Sequence, residues 1–149
     1  MKLSDNSVTF FMMCLDICSG TNTVTSSGTI ITSPGWNPVT RWNYPSYQDC
    51  EIRVQFEEGK SVVIEFLGNF HIEPSSTCSF DYIEFFGDPS LDFPVTAKFC
   101  GSSIPDKKEW KGNSIIIKFY SDDSYNYEGF SLKVIEKAFA NGKININPQ

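Results

Sequence analysis

From residue 50 onward, apolar and polar residues alternate along the chain. Ile52, Val54 and Phe56 interleave with Glu51, Arg53 and Gln55, and after Glu57-Glu58-Gly59-Lys60 the apolar set resumes at Val62, Ile64 and Phe66. Ile83 and Phe85 alternate with Tyr82 and Glu84. Val95, Ala97 and Phe99 follow, then Ile115, Ile117 and Phe119, then Phe130, Leu132 and Val134. A period of two turns one face of each strand into a core and the other into solvent. Turn-forming residues separate the runs at Ser33-Pro34-Gly35, Gly87-Asp88-Pro89 and Lys111-Gly112-Asn113. No stretch of ten residues carries a helical period. The pattern predicts an all-β fold, a sandwich of two packed antiparallel sheets.

The chain has 149 residues, the size of one domain. Residues 19–27 are rich in Ser, Thr, Gly and Asn and read as loop. Residues 138–149 turn polar and rich in Asn and read as a tail or linker. Residues 1–17 read as a weak signal-like or linker segment. Met1-Lys2 and the run Val8 to Leu15 suit the first parts of a signal peptide, but Asp5 and Asp16 bracket a very short apolar stretch, with no small-x-small cleavage site. The folded domain is therefore expected over residues 18–137.

Charge narrows the partners. With 12 Lys+Arg against 18 Asp+Glu the formal net charge is -6, which disfavours nucleic acid and anionic membranes and favours a basic partner. The longest apolar run is far too short to cross a bilayer, so no membrane insertion is expected. A single His, His71, excludes mechanisms that need two imidazoles, HExxH zinc proteolysis among them. Cys14, Cys18, Cys50, Cys78 and Cys100 contain no C-x-x-C pair. Their wide spacing suggests disulfides and an oxidising, secreted or extracellular setting. Five is odd, so at least one thiol is left over. Any four would allow three pairings.

Several segments coincide, in order, with one extracellular module. Cys18-Ser19-Gly20, Gly28-Thr29-Ile30-Ile31-Thr32-Ser33-Pro34, Tyr44-Pro45 and Cys50 resemble the opening of a CUB domain. Phe70-His71-Ile72-Glu73 and Cys78-Ser79-Phe80-Asp81-Tyr82-Ile83-Glu84 resemble its middle. Phe99-Cys100-Gly101, Phe119-Tyr120-Ser121-Asp122-Asp123-Ser124 and Gly129-Phe130 resemble its close. The resemblance implies a jelly-roll-like sandwich and a pairing of first with second and third with fourth family cysteine, Cys18–Cys50 and Cys78–Cys100. Cys14 then has no partner and lies outside the domain. Loop-closure entropy gives each bridge about 3–4 kcal/mol. Two departures stand out. Ile52 replaces a Trp usual two residues after the second cysteine, and the stretch from Pro34 to Tyr44 is long.

Carboxylates gather where three loops of such a sandwich would meet. Glu73 precedes the third family cysteine, Asp81 follows it, and Asp122 lies in Ser-Asp-Asp-Ser beyond a strand. Converging acids repel one another unless a cation neutralises them, and calcium takes six to eight hard oxygens at about 2.3–2.6 Å. The calcium-binding subset of CUB domains is similar at Tyr44, Glu73, Asp81, Asp122 and Ser124. The resemblance implies that the three acids ligate calcium by their side chains and Ser124 by its carbonyl, while the Tyr44 hydroxyl braces the acids. Taken singly, each of these residues is better explained as a solvated charge or turn former; the five together at the family's spacing favour a calcium site. Asp123 reads as an exposed charge, His71 as a half-buried or surface imidazole, and Tyr125 and Asn126 as flanking loop residues.

Nothing reads as catalytic, since G-x-S-x-G, the P-loop and a nucleophilic Cys with its supporting pair are all absent. Glu73 and Asp81 as a glycosidase pair would need a cleft and one raised pKa, whereas a ligand cluster is expected to stay ionised. The favoured reading is a non-enzymatic, secreted or extracellular, calcium-dependent protein-binding module that offers its acids to a Lys or Arg of a basic protein or glycoprotein. Two alternatives are an accessory domain of a secreted metalloprotease or serine protease and a spermadhesin-like carbohydrate or glycoprotein binder.

Overall fold

A computed structural model describes residues 14–87 and 96–138. Ten strands run in chain order: β1 (Cys14–Asp16), β2 (Thr23–Val24), β3 (Thr29–Thr32), β4 (Asp49–Gln55), β5 (Lys60–Phe66), β6 (Tyr82–Gly87), β7 (Thr96–Phe99), β8 (Lys108–Trp110), β9 (Ser114–Tyr120) and β10 (Ser131–Ala138). No helix occurs among the described residues, as the lack of a helical period predicts. Two five-stranded sheets pack face to face in the orders β1-β3-β10-β5-β8 and β2-β4-β9-β6-β7.

The alternation places the core. Ile52 and Val54 of β4, Val62, Ile64 and Phe66 of β5, Ile83 and Phe85 of β6, Ile115, Ile117 and Phe119 of β9, and Leu132 and Val134 of β10 are all buried between the sheets. Ile52 is fully enclosed, so the exchange for Trp is of one core side chain for another. Ala97 and Phe99 pack against this core, while Val95 and the turn residues Asp88-Pro89 lie outside the described residues.

The sheets depart from expectation in three ways. They are mixed rather than purely antiparallel: β1 pairs parallel with β3 (Cys14 opposite Ile30), and β2 pairs parallel with β4 (Thr23 opposite Arg53). The 19–27 segment is not all loop, because Thr23 and Val24 use the free edge of β4 and bury Val24. The sheet also begins before Cys18, since β1 hydrogen-bonds to β3 and Ile17 is buried. Cys14 thus occupies an edge strand with its thiol free and exposed rather than lying outside the fold. At the other end β10 runs to Ala138, opposite Lys60, and residues 139–149 lie outside the described residues.

Two disulfides join distant segments, Cys18–Cys50 and Cys78–Cys100. The first ties the exit of β1, in one sheet, to β4 in the other. The second ties the loop before β6 to the end of β7, and so steadies the connections at one end of the sandwich.

Candidate metal centre

Glu73, Asp81 and Asp122 come from three separate connections. Asp81 immediately precedes β6, Asp122 lies two residues beyond β9, and Glu73 ends a short extended segment after β5. That segment is pinned on both sides. His71 exchanges backbone hydrogen bonds with Gly129 (2.9 and 2.8 Å), and Ile72 exchanges them with Gly101 (3.0 and 2.8 Å), beside Cys100. Gly129 holds a left-handed backbone (φ 91°), and a Cβ there would overlap the Ser33 hydroxyl. Ser33 in turn accepts the Phe130 N–H at 3.0 Å, so only glycine admits this close approach.

Tyr44 joins the loops from below. Its ring is buried edge-on against Phe119 at 5.1 Å, and its N–H donates to the Tyr127 carbonyl at 2.9 Å. The hydroxyl donates to Asp81 Oδ2 at 2.7 Å and accepts the Glu73 N–H at 3.1 Å. Asp81 Oδ1 accepts the Asp122 N–H at 2.7 Å. A single buried carboxylate therefore gathers the other two acidic loops, one directly and one through the phenol. Asp122 Oδ1 accepts the Ser124 N–H at 3.1 Å in a local turn, and the Ser124 hydroxyl donates to the exposed Asp123.

One carboxylate oxygen from each of Glu73, Asp81 and Asp122 lies within 4.8 Å of the others. Two oxygens on opposite sides of one calcium ion stand about 4.6–5.2 Å apart, so this spacing fits a single ion. Glu73 is only 8% exposed, and its Oε2 has no hydrogen-bond partner. A buried, unpaired carboxylate oxygen is costly, and a cation would satisfy it. Charge points the same way. Burial, then the Asp81 and Asp122 carboxylates, push Glu73 up to about 6, and burial likewise pushes Asp81 up. The upward shifts are the electrostatic cost of holding buried acids this close without a compensating positive charge, a cost that a bound cation would remove. Burial, then the bond to Asp81, also pushes the Tyr44 phenol up, so it remains a donor at neutral pH.

The donor set is all oxygen and acidic, the chemistry of calcium rather than of zinc. The half-buried His71 ring stacks on Tyr127 at 4.3 Å and is not part of the three-carboxylate cluster.

The chain matches the CUB domain family model over residues 18–134. It belongs to the CUB family. CUB domains are protein-interaction modules. This CUB domain is similar to pig cubilin, at 31% identity over 127 residues, 85% of the chain and 3% of cubilin. It spans no more than 10% of the tolloid-like proteins it also matches. Among solved structures it is similar to the MASP-1 CUB2 domain bound to Ca2+, at 33% identity and TM-score 0.67, covering 79% of this chain and 99% of that one. It is also similar to the full extracellular region of zebrafish Gpr126/Adgrg6, at 28% identity and TM-score 0.68, covering 79% of this chain and 15% of that one.

Sequence reasoning missed the lacing around the cluster. The long 34–44 stretch is fastened to the β9–β10 connection by Arg41, held on two prongs by Glu128 (2.8 and 3.1 Å), and by Asn43, which donates to the Asn126 carbonyl at 2.9 Å. Ser46 and Asn126 bond side chain to side chain, and the Tyr47 N–H donates to the Asp122 carbonyl at 2.9 Å. Buried Ser121 accepts the Gln48 N–H and donates to the Pro45 carbonyl. The repeated Asn, Ser and Tyr residues of 43–48 and 121–127 are the available signal, but not one that specifies partners.

Proposed function

We propose that this CUB domain is an extracellular, non-catalytic module that binds calcium and, through it, a basic side chain of a partner protein. The observation that carries the reading is the buried, unpartnered Glu73 Oε2 set beside Asp81 and Asp122 with ligand oxygens within 4.8 Å. Glu73, Asp81 and Asp122 would hold the ion by their carboxylates, Ser124 would add its carbonyl, and Tyr44 would hold Asp81 and the Glu73 backbone in place. Bound calcium would supply two positive charges against the cluster's three negative ones. Three carboxylates then keep about one negative charge at a fixed position, suited to one Lys ammonium or Arg guanidinium and unsuited to phosphate. A charge-assisted hydrogen bond there contributes about 1.5–3 kcal/mol. Similarity to the calcium-bound MASP-1 CUB2 domain supports the metal. The two disulfides and similarity to an extracellular region support the location.

The test is surface plasmon resonance against a lysine-bearing extracellular partner in calcium, in chelator and across a salt series. Binding should require calcium, weaken with salt and vanish on replacing one partner Lys. Affinity unchanged by both chelator and salt would refute the proposal.

A further inference from the structure

The end of the sandwich that carries the acids also carries exposed rings. Tyr47 is 77% exposed, Tyr125 70%, Trp42 68% and Phe80 47%. Single exposed apolar side chains are ordinary on a protein surface. These four all belong to the loops that build the carboxylate cluster. Phe80 precedes Asp81. Tyr47 gives its N–H to the Asp122 carbonyl (2.9 Å), and Tyr125 follows Ser124 in the same turn. Trp42 precedes Asn43, whose amide is tied to the Asn126 carbonyl.

The loops fix the backbone that carries three of these rings, at Trp42, Tyr47 and Tyr125. Asn37 Oδ1 accepts the N–H groups of Val39 and Thr40, and the Asn37 carbonyl accepts that of Arg41, so a capped turn leads straight into Trp42. Glu128 then fixes Arg41. Tyr47 (φ 61°) and Tyr125 (φ 59°) both hold the left-handed backbone that glycine adopts without strain. Each of these strained positions nevertheless carries an aromatic ring that points into solvent.

We propose that Trp42, Tyr47, Phe80 and Tyr125 form the apolar rim of the docking surface. The partner it fits is a protein segment in which a Lys or Arg stands beside an apolar side chain. The cation meets the acidic cluster, and its apolar neighbour packs on the rings. Charge complementarity sets the occupant: the chain carries -6, its clustered acids attract a cation, and aromatic faces attract it further. This inference rests on the calcium-dependent reading of the cluster and adds the partner's flanking residues to it.

The test titrates acetyl-Leu-Lys-Leu-amide and acetyl-Gly-Lys-Gly-amide into the full, oxidised, 15N-labelled chain in calcium and follows backbone amide shifts. The Leu-flanked peptide should bind about fivefold more tightly, as expected for partial burial of one leucine side chain. Its shifts should centre on residues 42–47, 80–81 and 122–126. Trp42→Ser with Tyr125→Ser should reduce it to the level of the Gly-flanked peptide while leaving calcium affinity and melting temperature unchanged. Equal affinities in wild type, both lost in chelator, would overturn the rim and leave the metal reading standing. A leucine preference that persists in chelator would overturn the metal dependence on which the rim rests. Calcium-dependent sedimentation with phosphatidylserine vesicles, lost in Trp42→Ser, would overturn a protein as the occupant.

Discussion

Replacing Tyr44 by Phe isolates the chemistry of one oxygen atom. The ring stays, with its edge-on contact to Phe119, so no cavity opens; only the hydroxyl leaves. Two hydrogen bonds go with it, one to Asp81 Oδ2 and one from the Glu73 N–H, both buried. A bond to a charged group contributes about 1.5–3 kcal/mol, and the lower end applies because Asp81 keeps the Asp122 N–H. Leaving the Glu73 N–H buried without an acceptor costs about 1–2 kcal/mol more. The loss should therefore be about 3 kcal/mol. Urea unfolding of the oxidised domain in chelator measures it, as a lower midpoint at unchanged slope. Tyr44→Ala, which also removes the ring, should be worse by at least about 2 kcal/mol. A Tyr44→Phe loss below about 0.5 kcal/mol would refute the bracing role, because two buried bonds cannot be that cheap to break.

Glu73 makes the metal-free domain pH-dependent. Its native pKa of about 6 lies above the ordinary carboxylate value of 4.5, so the native state holds the extra proton between these values. Stability from this group is present below pH 4.5 and is lost as pH rises through about 6. In chelator, Glu73→Gln should lessen the loss of melting temperature between pH 5 and pH 7; a wild-type domain that gains stability over that interval through Glu73 would contradict the assignment. Calcium affinity should likewise fall below about pH 6 as protons compete for this carboxylate. Gly129→Ala must push its methyl into Ser33 at a left-handed φ, and should cost at least about 2 kcal/mol in urea unfolding, whereas Gly59→Ala, with open space around it, should cost less. Non-reducing peptide mapping should recover Cys18–Cys50 and Cys78–Cys100 with Cys14 alkylated under native conditions; a Cys14–Cys50 bridge would contradict the fold.

Periodicity made the interior strands legible. β4, β5, β6, β9 and β10 are six to eight residues long, enough for alternation to declare which face is buried. β1, β2 and β8 have three, two and three residues, too few to show a period. Lys108-Glu109-Trp110 is a strand because β5 offers it Val62 to Ile64 to pair with, which is a property of the partner and not of the segment. The two parallel pairings were invisible for the same reason. At the site, family resemblance selected the residues that the fold then gathers, Tyr44, Glu73, Asp81 and Asp122. It could not reveal that Asp81 is the hub, because both donors to its oxygens are brought there by chain segments 37 and 41 residues away. The Arg41–Glu128 and Asn43–Asn126 ties are likewise tertiary, made by a stretch longer than the family pattern.

Calorimetric titration of the oxidised domain with calcium decides whether the carboxylate cluster is a metal site. One ion should bind per domain, with affinity strongly reduced in Asp81→Asn and Asp122→Asn, and the melting temperature should rise with calcium in wild type but not in either variant. No heat of binding together with identical melting in calcium and in chelator would contradict a metal site there.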